Sequence, residues 1–258
     1  MARLAGRCAI VTGGARGIGR HYAQALAAEG AAVMIADIAD IADGSALAQE
    51  LAREHGRNDT ASMVCDVSDE AQVKSLVART IEQFGKIDIL VNNAALYSQL
   101  EETEFTNIDI ALWDKVMAVN VRGPFLMAKH VVPHMRAKGY GKIINIGSGS
   151  VFRGMPQMLH YTTSKGAIVA FTRSLSRAVG GSGICVNTLA PGFTLSDSVV
   201  ENNPTHVQSS RDNAIQRRAI KRDGYPQDIL GALVFLASAD SDFVTGQVIA
   251  VDGGAVNT

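Results

Sequence analysis

The stretch Thr12-Gly13-Gly14-Ala15-Arg16-Gly17-Ile18-Gly19 decides how this chain is read. A β-rich run, Arg7 to Thr12, leads into it, and a helical pattern, Gly17 to Glu29, leads out. Glycines in a strand-to-helix turn let the backbone come close to a pyrophosphate. The helix behind them offers unpaired N–H groups and the positive end of a dipole. A second β-rich run, Ala32 to Asp37, ends on a carboxylate 18 residues after Gly19. That is close to the spacing of an acid that binds the adenosine ribose. Gly13, Arg16, Gly17, Ile18, Gly19 and Asp37 are therefore the first cofactor-binding candidates. Asp37 also bears on which dinucleotide binds. A carboxylate accepts hydrogen bonds from both ribose hydroxyls and repels a 2′-phosphate, which favours NAD. Arg16 pulls more weakly the other way, since a cation in this turn can meet a 2′-phosphate.

Outward from that turn, short β-rich runs alternate with longer helical patterns. The candidate strands are Arg7 to Thr12, Ala32 to Asp37, Ala61 to Asp66, Asp88 to Asn92, Lys142 to Gly147, Ile184 to Leu189 and Gln247 to Val251. The candidate helices are Gly17 to Glu29, Ser45 to His55, Asp69 to Phe84, Ile110 to Lys138, Tyr161 to Val179 and Pro226 to Ala237. Runs such as Ile87-Asp88-Ile89-Leu90-Val91 are too apolar for a sheet with one wet face and fit strands covered on both sides. Strict alternation predicts an α/β chain, a Rossmann-type doubly wound parallel sheet of seven strands. Ser68-Asp69-Glu70-Ala71 opens one helix with a cap and an acidic first turn. With no linker, repeat or low-complexity tract, residues 1–258 read as one domain. The rhythm breaks only at Gly192 to Gly224, a polar stretch containing Asn202-Asn203-Pro204 and ending in a basic cluster. A long insertion after such a strand is expected to be a lid or substrate loop.

Composition narrows the function classes. Over 258 residues, 47% are hydrophobic and 19% charged, enough to bury a large core, and the net charge is -1, which gives no pull towards nucleic acid or anionic lipid. Cys8, Cys65 and Cys185 sit in apolar runs without zinc-ligand spacing and read as buried thiols in a reducing compartment. No apolar run approaches the ~20 residues of a membrane span. The expected location is the cytoplasm.

A second constellation lies further along. Tyr161 and Lys165 are four apart in a helical pattern and so project from one face. A tyrosine at its ordinary pKa of about 10 is a poor base, and a neighbouring lysine cation favours its phenolate. Ser148 ends a buried strand, where its hydroxyl can donate to a substrate oxygen. Asn120 precedes Pro124 by four residues inside a helical pattern, so its carbonyl should lack the usual helical donor.

The chain resembles the short-chain dehydrogenase/reductase family nearly end to end. The matching pieces are the Gly13, Gly17 and Gly19 spacing, Cys65-Asp66-Val67, Asn92-Asn93-Ala94, Asn120, Ser148, Tyr161-Thr162-Thr163-Ser164-Lys165, Pro191-Gly192 and Val251-Asp252-Gly253-Gly254. The resemblance implies an oxidoreductase with a catalytic set of Asn120, Ser148, Tyr161 and Lys165. Tyr161 would exchange a proton with the substrate, Ser148 orient its oxygen, and Lys165 also bind the nicotinamide ribose. The Asn120 main chain would hold a water on a proton path. Asp66 and Val67 would flank the adenine, Asn92 and Ala94 line the groove, and Pro191, Gly192 and Thr194 turn beside the nicotinamide. The chain departs from the family at Ala95, where a glycine is usual, and at Ser196, where a threonine is. Family members commonly form tetramers through the two long helices, here Ile110 to Lys138 and Tyr161 to Val179, and the C-terminal strand. A homotetramer is therefore expected.

Fold does not choose a substrate. Tyr97, Ser148, Val151, Phe152, Met155, Met158 and Phe193 are the pocket candidates, and their apolar character points to a medium-sized, largely apolar secondary alcohol or ketone. The rival readings are a 3-oxoacyl thioester reductase, which would usually want NADPH against Asp37, steroid or sugar-alcohol oxidation, and a catalytically idle NAD sensor, which would be expected to lack Tyr161 or Lys165. His130 and His134 stand four apart but have no third ligand in the sequence, so no metal is expected. His160 reads as a polar surface residue. Arg217, Arg218, Lys221 and Arg222 leave open attraction of an acidic substrate but read first as a solvated face partly paired with Asp212 and Asp223.

Overall fold

The computed structural model of the protein describes residues 2–38, 41–202 and 204–257, so Met1, Ala39, Asp40, Asn203 and Thr258 lie outside the described residues. Seven strands form one sheet: β1 (Cys8–Thr12), β2 (Ala32–Asp37), β3 (Thr60–Val64), β4 (Ile89–Asn92), β5 (Gly141–Ile146), β6 (Ile184–Pro191) and β7 (Val248–Val251). All pair in parallel, in the order β3-β2-β1-β4-β5-β6-β7. This is the doubly wound sheet expected from the alternation.

Side chains on a strand point alternately to opposite faces, and here each face meets its own apolar layer. Val11, Ile35, Val91 and Ile144 pack with helices α1 (Gly17–Ala28), α2 (Ile41–His55) and α10 (Gln227–Ala237). Ile10, Met34, Leu90 and Ile143 pack with α3 (Glu70–Phe84), α5 (Gly123–Lys138) and α7 (Leu159–Val179). Both layers exclude water, which explains the near-continuous apolar runs of the central strands. A buried polar thread crosses them. Asn92 Nδ2 donates to Asn145 Oδ1, Asn145 Nδ2 donates to Thr172 Oγ1, and Thr172 and Thr188 hydroxyls share a bond of 2.8 Å. These bonds couple β4, β5, α7 and β6, and a one-residue slip of any strand would strand the amides in hydrocarbon.

The cap at Asp69 is present: its carboxylate accepts the N–H groups of Ala71 at 2.8 Å and Gln72 at 3.3 Å. Elsewhere the elements differ from the sequence reading. β3 stops at Val64, and Asp66 leaves the sheet to accept the N–H and hydroxyl of Ser68. The long helix expected from Ile110 to Lys138 is interrupted. It runs as α4 (Ile110–Met117), a π-helical turn over Ala118–Arg122, then α5. Pro124 has no N–H to return to the Asn120 carbonyl, and the Gly123 N–H reaches back five residues to Ala118. Between Ser150 and Arg153 lies the short α6. The stretch after β6, read as irregular, contains α8 (Asp197–Asn202) and α9 (Pro204–Arg217). Its polar sequence hid two helices because neither depends on a continuous apolar stripe.

Candidate active site

The order of the sheet reverses between β1 and β4, and in such sheets ligands bind where the carboxyl ends of the strands diverge. A continuous cleft of about 1030 Å³ opens there. One end is built by the glycine turn. Gly13 has φ +61, and a Cβ there would lie 2.8 Å from the Ala94 Cα. At Gly19 a Cβ would collide with the Gly13 carbonyl, and at Gly17 with the Ser198 hydroxyl of α8. Thr12 Oγ1 accepts the N–H groups of Asn93 at 3.0 Å and Ala94 at 3.1 Å. Asn93 Nδ2 donates back to the carbonyls of Thr12 and Gly13 at 3.0 and 2.9 Å. The turn is thus stitched to the end of β4.

Helix α1 begins at this turn with no side-chain cap and no acidic residue in its first turn. Its leading N–H groups face a cleft cleared of side chains by glycine, which is a fitting cradle for a diphosphate. Gly13, Arg16, Gly17, Ile18, Gly19, Asp37, Asp66, Val67, Ala94, Pro191, Gly192 and Thr194 all line the cleft. Asp37 accepts the Ala15 N–H at 2.9 Å, which fixes its carboxylate beside the turn. Asn92 does not line the cleft. It is buried in the polar thread, and its neighbour Asn93 faces the groove instead, because alternation along β4 turns Asn92 inward. The two adjacent asparagines could not be told apart by type. Only the register of β4 separates them.

At the other end, Ser148, Tyr161 and Lys165 line the cleft together. The Ser148 hydroxyl accepts the Ser150 N–H at 3.1 Å, leaving its own proton to donate. Lys165 Nζ lies 5.7 Å from the centre of the Tyr161 ring and donates to the Ile146 carbonyl at 2.8 Å. Burial pushes the Lys165 ammonium down to about 8. Burial also pushes the Tyr161 phenol well up, with Tyr97 adding to the rise, while a hydrogen bond with Ser148 and the charge of Arg153 oppose it. The expected depression of the Tyr161 pKa is therefore not found: burial raises it, and Lys165 is not among the groups that oppose the rise. Tyr97 stacks on Tyr161 at 4.8 Å between ring centres, tilted by 38°.

Asn120 does not reach the cleft surface. Its Oδ1 accepts the Leu96 N–H at 2.8 Å, and its Nδ2 donates to the Leu96 carbonyl at 3.2 Å and Ser164 Oγ at 3.1 Å. Ser164 Oγ in turn donates to the Tyr161 carbonyl at 2.7 Å. Beyond the main-chain role expected of it, the Asn120 side chain clamps the loop after β4 to the first turn of α7. Ser164 was missed as part of this clamp, although it stands four places from His160 and one from Lys165.

Of the substrate candidates, Tyr97, Ser148, Met155, Met158 and Phe193 line the cleft, but Val151 and Phe152 do not. The single turn of α6 carries Arg153 to the cleft and leaves Phe152 facing solvent. His160, read as a surface residue, is 1% exposed, and burial lowers its pKa. The basic cluster is also not one solvated face. Arg218 is 4% exposed and donates to the carbonyls of Phe193, Arg222 and Asp252, pinning both ends of the insertion to the C-terminal turn. Arg222 pairs with Asp228, and it is Arg211 that pairs with Asp223. His130 Nε2 meets Glu70 at 2.9 Å, and no metal-binding cluster occurs among the described residues. The three cysteines are buried and free, and burial pushes Cys8 and Cys65 to about 12.

A family model described as enoyl-(acyl carrier protein) reductase, adh_short_C2, matches residues 13–256. The chain is 39% identical to a galactitol 2-dehydrogenase of Agrobacterium fabrum, covering 98% of each chain. It is 34% identical to the 3-oxoacyl-[acyl-carrier-protein] reductase FabG of Thermotoga maritima, covering 98% of this chain and 99% of that one. The crystal structure of a gluconate 5-dehydrogenase from Burkholderia cenocepacia J2315, in complex with NADP and tartrate, superposes with a TM-score of 0.90 at 36% identity over 98% of this chain and 96% of that one. The chain belongs to the short-chain dehydrogenase/reductase family. It is an oxidoreductase of the branch that acts on CH–OH groups with a nicotinamide cofactor. Among the described residues no helix is long and apolar enough to cross a membrane.

Proposed function

We propose that the protein catalyses reversible NAD(H)-linked oxidation of a medium-sized secondary alcohol to its ketone. The meeting of Ser148, Tyr161 and Lys165 at the buried end of the cleft carries this reading. Bound nicotinamide supplies or takes the hydride. Ser148 would donate its proton to the substrate oxygen, in exchange for the bond it shares with Tyr161, and hold that oxygen against the Tyr161 phenol. Tyr161 gives that oxygen a proton in reduction and takes it in oxidation. Its raised pKa keeps it protonated before substrate arrives, and Lys165, mostly protonated at pH 7 with a pKa of about 8, would favour the phenolate when the proton leaves. The π-helical turn at Asn120 supports a role in replenishing that proton from solvent, as such bulges often mark functional sites. Tyr97, Met155, Met158 and Phe193 give the substrate an apolar wall.

Asp37 supports NAD over NADP: its carboxylate lines the cleft beside the glycine turn, and there it would accept bonds from ribose hydroxyls and repel a 2′-phosphate. Arg16, exposed on the same turn, is the weaker counter-argument. The segment 192–224 acts as a lid, supported by the approach of Ser198 to Gly17 across the cleft. We read residues 1–258 as one catalytic domain. Exposed Phe105, Ile110 and Phe125, around and along α4 and α5, and Phe243 before β7, support assembly as a homotetramer. Three buried free thiols suit the cytoplasm. A second reading, 3-oxoacyl thioester reduction, is favoured by the Thermotoga relative. The test is nicotinamide absorbance across secondary alcohols, ketones and a 3-oxoacyl thioester, each with NAD(H) and NADP(H). Faster turnover of simple alcohols with NAD(H) is expected. Preference for NADP(H) and the thioester overturns the reading.

A further inference from the structure

The substrate end of the cleft also holds two guanidinium groups that proton transfer does not use. Arg153 closes α6, in the connection after β5, and Arg217 closes α9, in the connection after β6. Both line the same cleft as Ser148 and Tyr161. Neither has a hydrogen-bond or ion-pair partner among the described residues. Their neighbours differ. Arg211 and Arg222 are held by Asp223 and Asp228, and Arg218 is spent on three carbonyls.

Among the described residues no carboxylate forms an ion pair with either guanidinium. Burial is the largest influence opposing the Arg153 charge, and Arg217 is the next. Tyr97 and Asp252 favour that charge, but the Asp252 carboxylate already accepts the N–H groups of Gly254, Ala255 and Val256. Glu102, also on the cleft, is not among the largest influences on Arg153. The Arg153 charge is felt at the phenols of Tyr97 and Tyr161, so it lies within electrostatic range of the reacting centre.

A guanidinium presents a planar fork of donors that matches a carboxylate, and two unpaired cations on one cleft are relieved by an anion between them. We propose that the substrate bears a carboxylate, away from its reacting carbon, which Arg153 and Arg217 hold between them. This rests on the oxidoreductase reading above and narrows its substrate to a hydroxy acid or keto acid with an apolar middle. Tyr97, Met155 and Met158 would lie along that middle. A carboxylate so held joins the connection after β5 to α9, and thereby ties the lid to the body when substrate is present.

Calorimetric titration of the enzyme, with and without NADH, using hexanoate and hexanamide tests this without requiring turnover. Hexanoate is expected to bind about tenfold more tightly than hexanamide. The double variant R153Q/R217Q should lose that preference while binding hexanamide within about twofold of wild type, since neither side chain holds another group by a hydrogen bond or ion pair among the described residues. R153K/R217K, which keeps the charge but not the fork, should retain part of it. Equal binding of the two probes by the wild-type enzyme, or a preference that survives in R153Q/R217Q, overturns the proposal. The two readings fail separately. A carboxylate preference without turnover of any alcohol or ketone would sink the oxidoreductase reading and leave the anion site standing. Equal reduction of 5-oxohexanoate and its methyl ester, with equal binding of the two probes, would sink only the anion site.

Discussion

The two ends of the cleft are made differently. The glycine-turn end is backbone: N–H groups of an uncapped helix, carbonyls stitched by Asn93, and glycines whose missing side chains make the room. The far end is side chains: a phenol, an ammonium and a hydroxyl in the floor, and two guanidiniums from α6 and α9 at the rim. A backbone cradle recognises what every dinucleotide shares, and it tolerates little change because its atoms cannot move aside. A side-chain rim can be rewritten one residue at a time without disturbing the sheet. That division explains how one fold keeps its cofactor while its substrates vary.

The comparison predicts where damage is chemical and where it is structural. Tyr161→Phe should lower turnover by about 10²–10⁴-fold. NADH affinity, followed by fluorescence titration, should stay within a few-fold because the cradle is untouched. A variant that kept full activity would remove the catalytic assignment.

Gly13→Ala strikes the backbone end. With φ +61 and the Ala94 Cα 2.8 Å from the new carbon, the turn must open. The expected cost is about 1–3 kcal/mol of stability, read in a thermal melt, together with loss of measurable NADH binding. Intact cofactor binding would show that the turn is softer than its packing implies.

Lys165 gives a pH signature. Its pKa of about 8 lies below the ordinary value of 10.5 that the unfolded chain would show. Between those values the unfolded state binds more protons, so this residue's contribution to stability rises with pH and its burial penalty is complete below about pH 8. Relative to Lys165→Met, the wild-type protein should therefore gain melting temperature from pH 8 to pH 10. A flat difference would mean that the amine is solvated in a way the buried position does not suggest.

The smallest effect should come from Phe152→Ala. Because Phe152 faces solvent outside the cleft, kcat/KM should change by less than about twofold. Met158→Ala, by contrast, removes a buried lining residue and should raise KM. Equal effects would mean that the rim rearranges around bound substrate.

By itself the sequence determined the alternation of strands and helices, the phosphate turn and the identity of Ser148, Tyr161 and Lys165. These depend on short-range rules: period-2 and period-3.6 patterning, glycine conformational freedom, and side chains four apart on one helical face. It also announced the break at Asn120, because Pro124 removes a donor at a fixed offset. Tertiary structure alone decided the rest. The register of β4 chose Asn93 rather than Asn92 for the groove, and the turn of α6 chose Arg153 over Phe152. Arg218 became a buried strut and Arg217 a cleft residue, although they are adjacent in one basic cluster. Likewise, the direction of the Tyr161 pKa shift follows from how completely the fold removes water from it, with the neighbouring Tyr97 adding to the rise. Charge and residue type are local properties. Direction, partner and desolvation belong to whatever element packs across the gap, and that element is distant in the chain.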